Sequence, residues 1–342
     1  MAASRAKKRG ARKGARAQGL AAWPRRWGGR LALGVLLLVA LTLGNLFAHQ
    51  HARVRAGFGR LEPLLETLGL VTADATDALG LTGRDAEVDY ALPPPDAKRG
   101  PTPFGAPKRK DGSTLAPNDV QLLVRKGYCV GYSPSLGHPV WAAYALPREK
   151  RLEAAPPRPP FMQDAEVPNS PPPEVYTGSG YDRGHMAPNS AIATRYGLEA
   201  QRETFLMTNI APQRPDLNRG PWRELEQLVA KDLSALDERI WVIVCTVPDS
   251  RKSKQKLPRG PVRIPEGFAM IVASVHQGKL RAIGAYMPQT IDKNKAPRYC
   301  LRSIRELEER TGLDFFSLLP ADAQERLETP EPTRFWPKWR LL

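Results

Sequence analysis

The stretch from Gly180 to Glu226 gathers side chains that hydrolytic chemistry needs. His185 is the only histidine in it, and an imidazole with an unperturbed pKa of about 6.5 can accept a proton from water near neutral pH. Asn218 and Glu226 offer oxygen atoms, which suit a hard cation such as Mg²⁺ that keeps most of its own waters. No cysteine and histidine set with zinc spacing occurs here. The residue types therefore indicate metal-assisted hydrolysis with His185 as the general base.

The elements that must position these groups can also be predicted. Pro221 suits the first position of a helix, where a missing N–H is harmless, so a helix is expected from Pro221 through Leu228. Asn218 then lies at the mouth of that helix and Glu226 lies inside it, about a turn and a half beyond Pro221 at roughly 3.6 residues per turn. Arg183, two residues before His185, supplies a fixed cation for phosphate oxygens. A phosphate ester is thus the expected substrate.

Three segments carry a resemblance to a known family. The motif Asp182-Arg183-Gly184-His185, the segment Asn209-x-x-Pro212-Gln213 and the helix from Asn218 to Glu226 resemble the DNA/RNA non-specific endonuclease family. This family of ββα-metal nucleases includes secreted bacterial nucleases and the mitochondrial endonuclease G group. The ordered spacing of the three segments is more specific than the four-residue motif alone. Further similar segments around Trp141 and around 306–316 extend the resemblance over about residues 100–328.

The resemblance implies a Mg²⁺-dependent endonuclease, with Mn²⁺ as a substitute, that hydrolyses the phosphodiester bonds of DNA and RNA with little sequence preference and leaves 5′-phosphate ends. It also implies an α+β fold with a mainly antiparallel central sheet, flanking helices and a ββα-metal motif. The implied roles are His185 as general base, Asn218 as direct metal ligand, Glu226 as the group that holds water on the metal, Asn209 as a supporting residue, and Asp182 and Arg183 as residues that order the loop and contact phosphate.

Two departures from the family pattern keep an alternative open. An arginine expected a few residues before Trp141 is absent, because Leu136-Gly137-His138-Pro139 stand there, so a phosphate contact is either missing or supplied elsewhere. The loop Cys245-Thr246-Val247-Pro248 also differs. The alternative is a catalytically inactive, membrane-tethered nucleic-acid-binding protein of the same fold. An HNH-type nuclease is disfavoured because a second motif histidine is lacking, and a homodimer is compatible with the sequence.

The N-terminal region predicts a membrane segment. Residues 1–30 carry ten Lys or Arg and no acidic residue, so the remaining 312 residues hold only +6 of the formal net charge of +16. The apolar run Leu31–Ala48 is about the minimum length for a membrane span, and the basic flank predicts that the chain beyond it is exported. An uncleaved anchor is favoured over a cleaved signal. Periplasm or cell exterior is the expected location, and a mitochondrial inner-membrane protein facing the intermembrane space is the alternative.

Residues 49–115 are expected to form a proline-rich linker, 116–328 the nuclease domain and 329–342 an exposed tail. Strands are predicted over Leu122–Tyr132, Val140–Leu146 and Leu206–Asn209, and the continuous apolar run Ile240–Cys245 predicts a central strand buried on both faces. A hairpin is predicted around Gln277-Gly278, and a helix over Ser303–Arg310 that ends near Gly312. His138 is expected to be solvated and Cys245 to be buried. The three cysteines indicate no disulfide framework, although a bridge between Cys129 and Cys300 stays open.

Overall fold

The structure is a computed structural model that describes residues 87–91, 102–110, 120–249, 255–330 and 332. All of these residues belong to one compact unit, Gly83–Leu342. The expected basic segment 1–30, the membrane segment 31–48 and most of the tail 329–342 lie outside the described residues. Within the described part of the chain, no helix has both the length and the apolar character to cross a membrane.

An antiparallel sheet forms the centre of the described fold. The strands are β1 (Glu87–Asp89), β2 (Lys108–Arg109), β3 (Gln121–Val124), β4 (Tyr128–Ser133), β5 (His138–Pro147), β6 (Asp182–His185), β7 (Ile210–Gln213), β8 (Arg239–Val247), β9 (Gly267–His276), β10 (Lys279–Pro288), β11 (Leu301–Arg302) and β12 (Leu313–Asp314). The central sheet has the order β1-β10-β9-β8-β5-β4-β3, with β11 paired to β10. Two smaller antiparallel sheets pair β12 with β2 and β6 with β7.

Helices cover both faces of the central sheet. The α-helices are α1 (Asn189–Tyr196), α2 (Leu198–Thr204), α3 (Pro215–Asn218), α4 (Pro221–Leu228), α5 (Ser234–Leu236), α6 (Ile304–Thr311) and α7 (Ala321–Glu328). A π-helical turn (Val229–Leu233) joins α4 to α5, and 3₁₀ turns occur at Pro173–Tyr176, Met207–Asn209 and Pro297–Cys300. The prediction of an antiparallel central sheet with flanking helices is confirmed.

Strand β8 shows how the sequence builds the two faces. Ile240, Val242 and Val244 pack in a core with residues of α1 and α4, whereas the alternate residues Trp241 and Ile243 pack in a second core with residues of α6 and α7. This follows from the period of two in a strand, which sends successive side chains to opposite faces. Strand β8 is the fourth of the seven strands in the path, so its predicted central position is confirmed.

Local signals at the hairpin and at α6 also agree with the structure. Gln277 and Gly278 both have positive φ, 50° and 75°, and join β9 to β10 in the tight turn that antiparallel strands need. The hydroxyl of Ser303 caps α6 by accepting a hydrogen bond from the backbone N–H of Glu306, and Gly312 ends the helix in the left-handed conformation. The hairpin and the helix end are confirmed.

Three local predictions are wrong. Leu122–Tyr132 is not one strand but two, β3 and β4, because the chain reverses at Arg125–Gly127, where the Arg125 N–H donates to the carbonyl of Tyr128. Leu206–Asn209 is not a strand, since Met207–Asn209 forms a 3₁₀ turn and the strand begins at Ile210. His138 is buried at the start of β5 rather than solvated, and its burial lowers its pKa to about 4.

Part of the expected linker 49–115 belongs to the folded unit, because β1 pairs with β10 and the Phe104 side chain is only 1% exposed. Burial of Val88 and Phe104 explains this, since both contribute to the core that contains Trp241. Cys129, Cys245 and Cys300 are all buried and free, so the structure contains no bridge between Cys129 and Cys300.

Candidate active site

Strands β6 and β7 form the base on which the expected catalytic residues stand. They pair antiparallel, with Gly184 opposite Ala211 and His185 opposite Ile210. A glycine is required at 184, because a Cβ there would lie 2.3 Å from Oε1 of Gln213. Helices α3 and α4 follow β7 directly in the chain. The motif histidine thus ends one strand, and the segment with Asn218 and Glu226 continues from the other.

Asn209 holds the backbone that follows His185. Its side-chain Oδ1 accepts from the N–H of Ala187 at 2.9 Å, and its Nδ2 donates to the carbonyls of Ala187 and Thr204, both at 3.0 Å. Its own carbonyl accepts from the Met186 N–H at 2.9 Å. The side chain is buried, and these hydrogen bonds use both polar atoms of its amide. Asn209 therefore fixes the backbone of Met186 and Ala187, directly after His185.

His185 sits between two aromatic rings. Its ring centroid lies 5.4 Å from that of Phe161 and 4.9 Å from that of Phe205. Burial and the positive charge of Arg158 lower its pKa to about 3, so the imidazole is neutral near pH 7. Its Nε2 is buried and has no hydrogen-bond partner among the described residues. A neutral ring with an unused nitrogen is in the state that a proton acceptor requires.

Asp182 connects the motif to the end of α3. Its carboxylate accepts from Nδ2 of Asn218 at 2.9 Å and from Nε and Nη2 of Arg219 at 2.8 and 2.6 Å. Burial opposes ionisation of Asp182, but these hydrogen bonds outweigh it and lower its pKa. Because only the amide nitrogen can donate to a carboxylate, the bond to Asp182 leaves Oδ1 of Asn218 available as a cation ligand. Asp182 thus orients Asn218 rather than lying free for substrate.

Glu226 lies on α4, which begins at Pro221 as predicted. Its Oε1 accepts from Nε1 of Trp222 at 3.1 Å. Burial raises its pKa to about 8, despite that hydrogen bond and the charge of Arg158. A carboxyl group with a raised pKa ionises readily once a cation approaches, because the opposite charge favours the carboxylate. The amide oxygen of Asn218 and the carboxyl of Glu226 line the same groove, and both are oxygen ligands of the kind that a hard divalent cation takes.

One groove, with a volume of about 880 Å³, contains these groups. Asp182, His185, Asn218 and Glu226 all line it. Among the described residues of its lining, seven are Lys or Arg and three are Asp or Glu, so the groove is positively charged. A low-dielectric cleft lined by one sign of charge concentrates ligands of the opposite sign. The arrangement suits a polyanion that runs along the groove past His185.

The Arg183 guanidinium is held by contacts with neighbouring residues. Its Nε and Nη2 donate to the carbonyl of Pro173 at 3.1 and 2.7 Å, and its guanidinium carbon lies 5.4 Å from the centroid of Phe161. These contacts hold the guanidinium at one place in the groove lining. Arg183 thus anchors the turn at Pro173 and lines the same groove as His185.

The proline-rich segment 156–173 contributes a residue to the groove that the motifs do not include. Arg158 is exposed, lines the groove and lies 5.5 Å over the ring of Phe205, and its charge acts on both His185 and Glu226. The signal in the sequence was weak, because a single arginine among prolines resembles a solvated loop. The absence of an arginine before Trp141 was the only indication that a cation must come from elsewhere.

Comparison with known proteins gives one family. The family model for DNA/RNA non-specific endonucleases matches residues 109–322. A nuclease of Nostoc sp. is 31% identical over 238 residues, which cover 66% of this chain and 84% of that protein. Mitochondrial endonuclease G of Bos taurus is 28% identical over 266 residues, covering 71% and 85% of the two chains.

Other similar proteins include a second mitochondrial nuclease and a solved structure. Mitochondrial nuclease EXOG of Xenopus laevis is 29% identical over 239 residues, which cover 64% of this chain and 65% of that protein. A chain in the crystal structure of the EndoG/EndoGI complex superposes with a TM-score of 0.54 at 24% identity, over 58% of this chain and 86% of that one. At this identity the superposition supports the fold alone.

Proposed function

Because the chain belongs to the DNA/RNA non-specific endonuclease family, we propose that it is a Mg²⁺-dependent nuclease, with Mn²⁺ as a substitute, that cuts DNA and RNA to leave 5′-phosphate ends. The observation that carries the proposal is the single positively charged groove that holds His185, Asn218 and Glu226. Since the described part of the chain contains no base-reading module, backbone phosphate is the expected point of contact.

Asn218 is the proposed direct ligand of the metal, and Glu226 the proposed second group beside it. A divalent cation bound there supplies positive charge to the phosphate oxygens as the reaction proceeds. Asp182 supports Asn218 through the 2.9 Å hydrogen bond to its amide nitrogen. Trp222 supports Glu226 in the same way, by donating to its carboxyl oxygen at 3.1 Å.

The residues of this chain divide the remaining work of hydrolysis. His185 accepts a proton from the attacking water, whose oxygen forms a bond to phosphorus while the bond from phosphorus to the 3′ oxygen breaks. The phosphate then remains bonded to the 5′ oxygen of the following nucleotide, and the departing 3′ oxygen takes a proton from solvent water to become a hydroxyl. Arg158 and Arg183 hold the phosphate oxygens during this exchange. Asn209 keeps His185 in place through the backbone of Ala187.

The test is cleavage by the purified fragment 83–342. Supercoiled plasmid and a structured RNA are incubated with Mg²⁺, with Mn²⁺ and with EDTA, and the ends are mapped by ligation that requires a 5′-phosphate. Metal-dependent loss of both substrates supports the proposal. A protein that binds both substrates without cutting either would instead be the inactive nucleic-acid-binding protein. Replacement of His276, an exposed histidine outside the groove lining, by Ala gives the matched control for His185→Ala.

We further propose that residues 31–48 anchor the protein, with the nuclease on the non-cytoplasmic side of the membrane. Support comes from the sequence, where Arg25, Arg26 and Arg30 precede the apolar run. A C-terminal tag digested by protease in spheroplasts, on a protein that resists carbonate extraction, supports this topology. A protected tag would reverse it, and release of a form lacking the first ~50 residues would identify a cleaved signal. Light scattering of the fragment 83–342 decides between a monomer and a homodimer.

A further inference from the structure

A second group of carboxylates lies apart from the groove. Glu308 on α6, Asp314 on β12 and Glu328 at the end of α7 place one oxygen each within 4.8 Å of the others. The neighbours Leu307 and Leu327 belong to the core on the face of the sheet opposite to the core that contains Met186 and Ala187. None of the three carboxylates lines the groove. The cluster therefore has no part in the chemistry proposed for His185.

Two of the three carboxylates are buried, and some oxygens of the cluster have no partner among the described residues. The side chains of Glu308 and Glu328 are 2% and 0% exposed. Arg305 lies 3.1 Å from Oε2 of Glu308 and 3.0 Å from Oε2 of Glu328, and the Phe315 N–H donates to Oε1 of Glu308 at 3.2 Å. Oε1 of Glu328 and Oδ1 of Asp314 lack a hydrogen-bond partner in the described structure. A buried carboxylate oxygen that is left without a partner is unfavourable.

We propose that Glu308, Asp314 and Glu328 bind a hard divalent cation, preferentially Ca²⁺, at a structural site separate from the catalytic groove. Carboxylate oxygens are the ligands that Ca²⁺ prefers, at about 2.3–2.6 Å. Two oxygens on opposite sides of one Ca²⁺ are then roughly 4.6–5.2 Å apart, which accommodates a spread of up to 4.8 Å. Mg²⁺ gives up its waters reluctantly and is usually not held by a cage made only of protein ligands.

Arg305 can pair with Glu325 alone when the cation binds. Its side chain is 35% exposed and already contacts Glu325 at 3.0 Å, and the Glu325 side chain is 67% exposed. A small movement toward Glu325 takes the guanidinium away from the cation and keeps it paired at the surface. The bound cation then connects α6, β12 and α7, and so holds the C-terminal helix against the sheet.

The test is thermal unfolding of the fragment 83–342 that carries Asn218→Ala, so that the proposed catalytic ligand is absent. Protein dialysed against EDTA is titrated with CaCl₂ alone, and separately with MgCl₂. At Ca²⁺ about 100-fold above its Kd, the expected rise in Tm is roughly 5–10 °C. The rise should vanish in Glu328→Gln and persist in Glu309→Gln, which removes the same charge from an exposed neighbour of Glu308.

Isothermal titration supplies a second measurement that does not depend on Tm. One Ca²⁺ per chain in Asn218→Ala, lost in Asp314→Asn and in Glu328→Gln, supports the site. Unchanged Ca²⁺ binding in Glu328→Gln overturns the proposal. A Tm that does not change with Ca²⁺, together with a Glu328→Gln variant as stable as its parent, also overturns the proposal. Bound protons would then neutralise the carboxylates of the cluster. Glu328→Gln replaces a buried carboxyl by a group of the same shape, so it is expected to fold.

Discussion

At the scale of single residues, the groove depends on a charge from outside the motif. Arg158 reaches His185 and Glu226 electrostatically and lowers the pKa of both, although burial is the larger influence on each. Its effect on His185 keeps the imidazole neutral, and its effect on Glu226 favours the carboxylate. Both are the forms that the proposed reaction needs. A substrate phosphate that pairs with Arg158 would weaken this influence and make His185 a stronger base as it binds.

Replacing Arg158 by Gln should therefore change the pH profile as well as the rate. Loss of a charge-assisted contact to phosphate, about 1.5–3 kcal/mol, lowers kcat/KM by roughly 10- to 100-fold. Arg158 lowers the pKa of both His185 and Glu226, and the proposed reaction needs both groups unprotonated. Its removal raises both pKa values, and the shift of Glu226, whose pKa is about 8, moves the acid limb of kcat/KM to higher pH. The measurement is kcat/KM from pH 4 to 9. Arg326→Gln, at an exposed arginine outside the groove lining, is the control, and an unshifted acid limb in Arg158→Gln would contradict the assignment.

His185 and Asn218 should fail in different ways when each is replaced by Ala. General-base assistance is typically worth about 10²- to 10⁴-fold in rate, so His185→Ala should lose that much and not recover with added metal. Asn218→Ala should weaken metal binding, so part of its activity should return at high Mg²⁺. The measurement is kcat as a function of Mg²⁺ for both variants. Full activity in His185→Ala would remove this residue from the mechanism.

At the scale of elements, two connections hold the proposed catalytic residues. One is the close pairing of β6 and β7, which Gly184 permits. The other is the fixed course of the proline-rich segment, which Asp164 pins by contacts with Arg125 at 2.5 Å and with the hydroxyl of Thr208, also at 2.5 Å. Thr208 directly precedes Asn209, so the second connection joins the segment that carries Arg158 to the turn that positions His185.

Gly184→Ala should disturb the β6–β7 pair. The new Cβ would lie 2.3 Å from Oε1, 2.8 Å from Cβ and 2.9 Å from Cδ of Gln213. The resulting displacement should cost about 1–3 kcal/mol of stability and lower kcat. Urea unfolding and kcat are the measurements. The double variant with Gln213→Ala removes two of the three close atoms and should recover part of the loss, whereas an equal loss in single and double variants would show that another contact is responsible.

Asp164→Asn should release the proline-rich segment. The Asp164 and Arg125 side chains are 3% and 4% exposed, and breaking a buried ion pair by removing one partner costs about 3–5 kcal/mol. Limited proteolysis should then cut between 156 and 173 faster, and kcat/KM should fall because Arg158 loses its fixed position. Glu166→Gln is the control, since it pairs with the same Arg125 but its side chain is 70% exposed, so it should cost no more than about 1 kcal/mol. Equal effects of the two variants would show that the buried Asp164–Arg125 ion pair does not fix the proline-rich segment.

At the scale of the whole molecule, the folded unit begins well before the motif-bearing region. Val88 pairs with Leu280 across β1 and β10 and is 2% exposed. The Tyr90 ring lies 5.4 Å from that of Phe104, which in turn lies 5.4 Å from Trp241 on the central strand. The upstream chain thus covers an edge of the sheet and fills a core position far from it in sequence.

A fragment that starts at residue 98 should therefore be less stable than one that starts at residue 83. Burial of a valine side chain is worth about 1.5–3 kcal/mol, and each kcal/mol shifts Tm by roughly 2–4 °C in a domain of this size. The expected loss is about 3–10 °C in a thermal scan. Val88→Ala in the longer fragment should reproduce part of it. Identical Tm values for the two fragments would mean that β1 contributes nothing to the folded unit.

The sequence by itself determined the features that depend on residues close to one another along the chain. The helix that starts at Pro221, the turn at Gln277-Gly278 and the central strand β8 follow from local conformational preferences and from the period of apolar residues. The order of the motif residues also indicated the family. The roles assigned to His185 and Asn218 stay predictions, although both residues line one groove.

Only the tertiary structure decided the contacts between residues that are distant along the chain. It brings the charge of Arg158 close enough to act on His185, and it bonds the Asn209 side chain to the backbone of Ala187. It also buries Phe104, a residue of the expected linker, in the core. It also assembles Glu308, Asp314 and Glu328 from three separate elements. Each of these contacts depends on how helices and strands pack, and packing is a property of the whole chain that no short segment encodes.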